Sequence, residues 1–196
     1  RGFLESTAVI ITSDHGEALG EHHYWNHAWS LYEEVTRVPL YVAPPRTSGG
    51  RVRASDDTPL SGVAIPHLAT QLVGLDVWPA PARESVTTEW YPGEIRGDAR
   101  PLWSLTGRDP EADVLAWVEG DTKLIVAEDG QVEAYDLAAD PLELEPLALS
   151  AEEREAALTR ARRWWAEHPP VQAQALDVEL DPEQLERLRG LGYLGG

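Results

Sequence analysis

Hydrophobic positions along the chain fall into two regimes. In the first eighty residues they come as short continuous runs. Ala8-Val9-Ile10-Ile11 is mostly β-branched and too short for a typical helix, so it reads as a strand buried on both faces, as in a parallel sheet. Arg37-Val38-Pro39-Leu40-Tyr41-Val42 reads as a second strand, with Pro39 at its beginning or on an edge. Between them, Glu17, Ala18, Leu19 and Glu21 favour a short helix or turn over 17–25, interrupted by Gly20, and Ser30–Glu34 forms one further helical turn. Residues 44–51 are a loop by composition. Ile65, Leu68, Ala69, Leu72 and Val73 share one face of a helix over 64–74 that Gly74 can end.

A proline-containing linker at 77–82 separates this part from a second. Beyond it the pattern becomes alternating, in short strand-like segments at 85–91, 102–106, 114–119, 122–127 and 132–137. Gly120-Asp121 and Asp129-Gly130 supply hairpin turns, so the segments predict an antiparallel meander of three to five strands. Ser150 and Glu153 form a capping box for a helix reaching about Glu167, where His168-Pro169-Pro170 stops it. Ala157, Ala161 and Trp164, with Leu158 and Trp165 beside them, make the stripe that should cover the meander. Asp181-Pro182 opens a last short helix. The expected organisation is a unit over 1–80 and a small α+β unit over 81–196.

Composition narrows the function classes. A net charge of −18 with no basic stripe argues against nucleic acid or an anionic membrane as partner. No run of eighteen apolar residues occurs, so no transmembrane segment is expected in these residues. The absence of cysteine excludes disulfides, thiolate metal sites and cysteine nucleophiles within them. With no methionine and a start in mid-pattern, the chain reads as the C-terminal part of a longer polypeptide. A periplasmic or secreted location would follow if a signal peptide precedes it.

The chemistry concentrates just past the first strand, where ligands bind in open α/β sheets. Thr12-Ser13-Asp14-His15-Gly16 follows that strand, and His15, His22, His23 and His27 fall within one short segment. Asp14 and His15 would point to opposite faces of a regular strand, so both reach one ion only if the backbone turns, which Gly16 permits. A carboxylate and an imidazole together suit a divalent cation acting as a Lewis acid; the same residues also make an ordinary turn closing a strand. His23 and His27, four apart, would form a zinc pair on a helix, although such histidines more often lie at the surface or behind a site. Glu33-Glu34 can be an acid/base pair, or solvated, or paired with an arginine such as Arg37. Trp90 and Trp103 are candidates for the border of a cleft, and otherwise for core.

Taken in order, these segments resemble the sulfatases of the alkaline-phosphatase-like superfamily. The resemblance is carried by the strand with Thr12–Glu17, by Leu19-Gly20-Glu21-His22, by Ser30–Glu34 and by Arg37-Val38-Pro39-Leu40. The segments Gln131–Pro141 and Leu180–Leu194 look similar to the family's closing strand and to the tail of many bacterial members. The fold implied is α/β: the C-terminal portion of a mostly parallel α/β sandwich, followed by a small antiparallel sheet packed against a C-terminal helix. The resemblance implies that Asp14 and His15 ligate one divalent cation, Ca2+ first, with Mn2+ or Zn2+ as alternatives, and that this cation polarises a sulfate or phosphate-like oxygen. Many members have a lysine where this chain has His27. Lysine is cationic at neutral pH whereas histidine titrates near it, so His27 is expected to hydrogen-bond the anion or to protonate the leaving oxygen. His22 and His23 are placed behind the site.

The family's nucleophile, a Cys or Ser in a Cys/Ser-x-Pro-x-Arg motif, does not occur in these residues. The expectation is therefore a sulfuric ester hydrolase piece holding half a metal site, acting on an anionic sulfate- or phosphate-ester substrate and inactive alone. Two alternatives stand beside it: a phosphonate or phosphate ester hydrolase or transferase of the same superfamily, and a non-catalytic zinc-binding module.

Overall fold

A computed structural model describes residues 2–27, 30–48, 60–75, 77, 86–90, 112–169 and 186. The strand expected at 102–106, Trp103, most of the linker at 77–82, the helix opening at Asp181 and the tail to Leu194 lie outside the described residues, as does the side chain of Trp90.

The second part of the chain follows its alternation closely. Strands β5 (Val86–Trp90), β6 (Val114–Glu119), β7 (Thr122–Ala127) and β8 (Val132–Asp136) form one antiparallel sheet in sequence order. Glu119 pairs with Thr122 across the Gly120-Asp121 turn. Gly120 and Gly130 take the positive φ, +59° and +97°, that these tight turns favour. Helix α4 (Ala151–Glu167) starts on the expected capping box, with the Ser150 hydroxyl accepting from the Glu153 N–H at 3.2 Å and the Glu153 carboxylate accepting from the Ser150 N–H at 2.8 Å.

Both faces of this sheet are covered. Leu115, Trp117, Val126 and Val132 pack under Ala157, Leu158 and Ala161 of α4. The opposite face, with Val114, Ala116, Ile125, Ala127 and Tyr135, packs against Ala18, Tyr24, Leu31, Tyr32 and Val35. The histidine-bearing segment of the first part is thus seated directly on the sheet of the second.

That segment departs from its expected form. Residues 17–25 are not helical: β2 (Ala18–Leu19) pairs antiparallel with β3 (Trp25–Asn26) around a 3-10 turn at Glu21–His23. Gly20 (φ +122°), His22 (+49°) and His23 (+66°) all have left-handed backbone, which a right-handed helix cannot contain. The helix-favouring residues Glu17, Ala18 and Leu19 are overruled by this turn. The helical turn expected at 30–34 appears as α2 (Glu33–Thr36), and a short α1 (Phe3–Ser6) precedes β1 (Val9–Ile11).

The first strand also differs. β1 pairs antiparallel with β4 (Tyr41–Ala43), Val9 opposite Ala43 and Ile11 opposite Tyr41. A parallel pair needs a crossover back to the strand's starting end, whereas this connection leaves and re-enters at the same end. The pair is only half-buried, with Ile11 and Tyr41 exposed. β4 begins beyond Pro39, which has no N–H to give a ladder. Helix α3 (Ile65–Leu72) lies within the predicted 64–74 and ends before Gly74, whose φ is +75°. Ile65, Leu68 and Leu72 on its apolar face are half-buried.

Candidate functional site

Asp14 and His15 leave β1 on a loop whose own polar atoms shape it. The Ser13 hydroxyl donates to the His15 carbonyl at 2.7 Å, and the His15 N–H donates to Asp14 Oδ1 at 3.1 Å. Asp14 is highly exposed. Its own backbone N–H first, then the neighbouring imidazole and N–H of His15, hold its carboxyl below the usual carboxylate range, so it is ionised at neutral pH.

The Nδ1–H of His15 donates to the Gly16 carbonyl at 2.8 Å. A carbonyl only accepts, so this contact fixes the tautomer and leaves Nε2 with a free lone pair. Metal-ligating histidines are commonly oriented this way, by a hydrogen bond from the second ring nitrogen. Nε2 lies 3.8 Å from Asp14 Oδ1, so the turn brings carboxylate and imidazole to the same side.

The turn depends on close approach at Gly16. The Gly16 N–H donates to the Val35 carbonyl at 2.7 Å and the Glu17 N–H to the Glu34 carbonyl at 2.9 Å, hanging the loop on α2. A Cβ at Gly16 would overlap the Glu34 carbonyl oxygen.

His27 arrives from the end of β3. Its Nδ1 is 3.1 Å from Glu17 Oε2, and its ring stacks on His15 at 3.8 Å with 20° between planes. Ligand-type atoms of His15, Glu17 and His27 lie within 4.8 Å of one another. A metal must lie along the in-plane lone pair of each imidazole. Stacked, nearly parallel rings cannot both meet that condition at one ion, so the arrangement suits a carboxylate-oriented His27 rather than a three-ligand cage. His23 joins no such group among the described residues, and with His23 in the left-handed turn the helical His23/His27 pair does not form.

His22 turns inward. Its Nδ1 faces Glu34 Oε1 at 2.9 Å and its Nε2 faces the Glu143 carbonyl at 2.9 Å, with the ring stacked on Tyr32 at 3.8 Å. Burial pulls its pKa down, but the Glu34 hydrogen bond, the Glu143 carbonyl and the charges of both carboxylates outweigh it, and the net shift is upward. With acceptors at both nitrogens, the ring is an imidazolium.

Glu33 and Glu34 are not an acid/base pair at the site. Glu34 holds His22, and Glu33 Oε1 receives Lys123 Nζ at 2.9 Å. Lys123 is 1% exposed and also lies 3.0 Å from Glu143 Oε1; Glu143 is likewise 1% exposed. Burial pushes the Glu143 carboxyl up, while Lys123 and the Glu33 N–H pull against it. Tyr32 and Tyr135 both donate to Glu133 Oε2, at 2.6 and 2.7 Å.

Glu17, Lys123 and Glu143 are therefore part of the site's architecture without having stood out in the sequence. Lys123 had a signal: it shares its strand face with Ile125 and Ala127, a charge at an inward position. Glu143 had none that is local.

Residues 1–75 match the family model described as Sulfatase. The uncharacterized sulfatase YidJ of Escherichia coli K12 is 31% identical over 152 residues, 73% of this chain and 28% of its own. Arylsulfatase K of Xenopus laevis is 27% identical over 187 residues, 88% of this chain and 33% of its own. The phosphonate monoester hydrolase of Agrobacterium radiobacter shares the fold, with a TM-score of 0.54 and 23% identity over 83% of this chain and 35% of that one. The chain spans about a third of the length of the curated relatives it matches.

Proposed function

We propose, for a chain that belongs to the sulfatase family, that it carries half of a divalent-cation site and a histidine acid for the hydrolysis of sulfate esters. The observation that supports this most is the pairing of Asp14 Oδ1 with His15 Nε2 at 3.8 Å, with the other nitrogen of His15 engaged by Gly16. An ionised oxygen and an oriented imidazole lone pair fit one cation, calcium first, with manganese or zinc as alternatives. When bound, the cation supplies Lewis-acid polarisation of a sulfate oxygen.

The surrounding charge makes a cation necessary for the reading. Asp14 and Glu17 put negative charge on the loop that an incoming sulfate must approach, and a bound divalent ion would reverse that local field. Asp14 contributes charge, and His15 contributes a ring nitrogen in a set orientation. Glu17 holds the Nδ1–H of His27 and leaves Nε2 as the atom that carries a proton toward the leaving oxygen. Where many relatives place lysine, this arrangement supplies a proton donor in place of a fixed cation. The chain has no cysteine and no Ser-x-Pro-x-Arg sequence, so in this reading the attacking group comes from outside these residues.

Elemental analysis of the protein and of Asp14→Ala tests the cation. Calcium or manganese lost in Asp14→Ala is the expected result. Zinc lost in His23→Ala, with no calcium or manganese in either, would replace the reading by a zinc-binding module. Turnover of an aryl phosphonate but not of an aryl sulfate would replace it by a phosphonate ester hydrolase.

A further inference from the structure

Glu143 is a carboxylate in an unfavourable place. It is buried beside the sheet, and its backbone is left-handed (φ +54°), which is costly for a residue with a side chain. Its N–H donates to the Asp140 carbonyl at 3.1 Å, and its remaining contacts lead to one element. Oε2 accepts the N–H of Glu33, the first residue of α2, at 2.5 Å. Oε1 pairs with Lys123, whose Nζ also reaches Glu33 Oε1 and, at 3.3 Å, Thr36 Oγ1. The backbone carbonyl receives His22, whose other nitrogen holds Glu34.

Helix α2 is thus held at its first N–H, at both glutamate side chains and at Thr36. Its carbonyls at Glu34 and Val35 then hold the N–H groups of Glu17 and Gly16. One route from Glu143 to the site loop runs entirely through backbone atoms of α2, the Glu33 N–H and then the Glu34 and Val35 carbonyls. At Gly16 the loop and α2 approach so closely that a Cβ would overlap the Glu34 carbonyl.

We propose that Glu143 is a positioning residue: acting through α2, its carboxylate fixes the Gly16–Glu17 backbone and so sets where Asp14, His15 and Glu17 present their side chains. The bearing on cation binding rests on reading Asp14 and His15 as ligands. A carboxylate kept only as the partner of Lys123 would be replaceable once Lys123 is replaced too, since apolar substitution of a whole buried ion pair is often neutral. One that positions α2 would not be, because the Glu33 N–H would lose its acceptor.

Two double variants of the full chain separate these roles: Lys123→Met/Glu143→Gln, which keeps an acceptor for the Glu33 N–H, and Lys123→Met/Glu143→Leu, which does not. Amide hydrogen exchange at Gly16 and Glu17 is the readout, with the Ile125 amide as the measure of overall stability. The leucine variant should exchange at Gly16 and Glu17 roughly tenfold faster than the glutamine variant, at matched Ile125 protection. Its calcium affinity should fall in parallel. Equal protection of Gly16 and Glu17 in the two variants, or a loss that merely tracks Ile125, overturns the proposal. Should the leucine variant not fold, alanine at 143 in the same background gives the same comparison. If Asp14→Ala leaves calcium binding unchanged, the cation reading fails by itself, and the exchange data still decide whether Glu143 positions the loop.

Discussion

The ring of His22 donates from Nε2 to the backbone carbonyl of Glu143, 121 residues further along the chain, at 2.9 Å. The same ring holds Glu34 through Nδ1, so one imidazolium ties the site loop, α2 and the turn after the sheet together. Removing its proton would leave one acceptor facing a bare lone pair.

The pKa of His22 lies above its ordinary 6.5 in the folded chain. Its contribution to stability is therefore fully present below that value and is lost as pH rises through the higher folded one. The thermal midpoint of the wild type should fall as pH rises past 6.5 through the higher folded value, and this component should vanish in His22→Phe, which keeps a ring over Tyr32. Identical pH profiles for the two proteins would show that His22 does not carry the dependence.

Gly16→Ala places a methyl group into the Glu34 carbonyl. Either the loop or α2 must move, breaking the hydrogen bonds of Gly16 and Glu17. The expected cost is about 1–3 kcal/mol of stability, with weakened calcium binding by isothermal titration because Asp14 and His15 move with the loop. Unchanged affinity at reduced stability would mean that the ligands are placed by β1 alone.

Assayed in a polypeptide that also carries the attacking group, His27→Ala should lower kcat by roughly a hundredfold for alkyl sulfates, the usual scale of a general acid. The loss should shrink for a nitrophenyl sulfate, whose leaving oxygen needs little protonation. Glu17→Gln should lower kcat less, with the same dependence on leaving group, since it only orients the ring. A loss independent of leaving group would make His27 an anion-binding residue instead.

Ser150→Ala removes the acceptor at the start of α4 and should cost about 1 kcal/mol. In urea unfolding this appears as a lower midpoint with an unchanged slope. No change in calcium affinity is expected, because α4 covers the sheet face away from the site.

The parts of this fold legible in sequence are those whose determinants are local. The β6–β8 meander is written in its alternation and its two glycine turns, and α4 in Ser150, Glu153 and the Ala157–Ala161 stripe. The residues Asp14, His15 and His27 could be named as candidates because the sulfatase resemblance gave their order meaning. The turn at 20–23 was not legible, since Glu17, Ala18 and Leu19 favour helix and the partner that holds the His22 ring, Glu143, lies far along the chain. The parallel pairing expected of β1 failed for a related reason: an apolar run specifies burial, not the direction of its neighbour. Glu143 was invisible because its role is set by Glu33 and His22, both more than a hundred residues away.

That separation has a consequence for the order in which the molecule is made. A ribosome delivers the histidine loop and α2 long before the turn that braces them, while β6, β7, β8 and α4 close largely among near neighbours and can form quickly once synthesised. The histidine loop is thus made before the turn that sets it. A chain stopped short of Glu143 should show no exchange protection at Gly16 and Glu17, so an incomplete product would have no finished place to capture a metal.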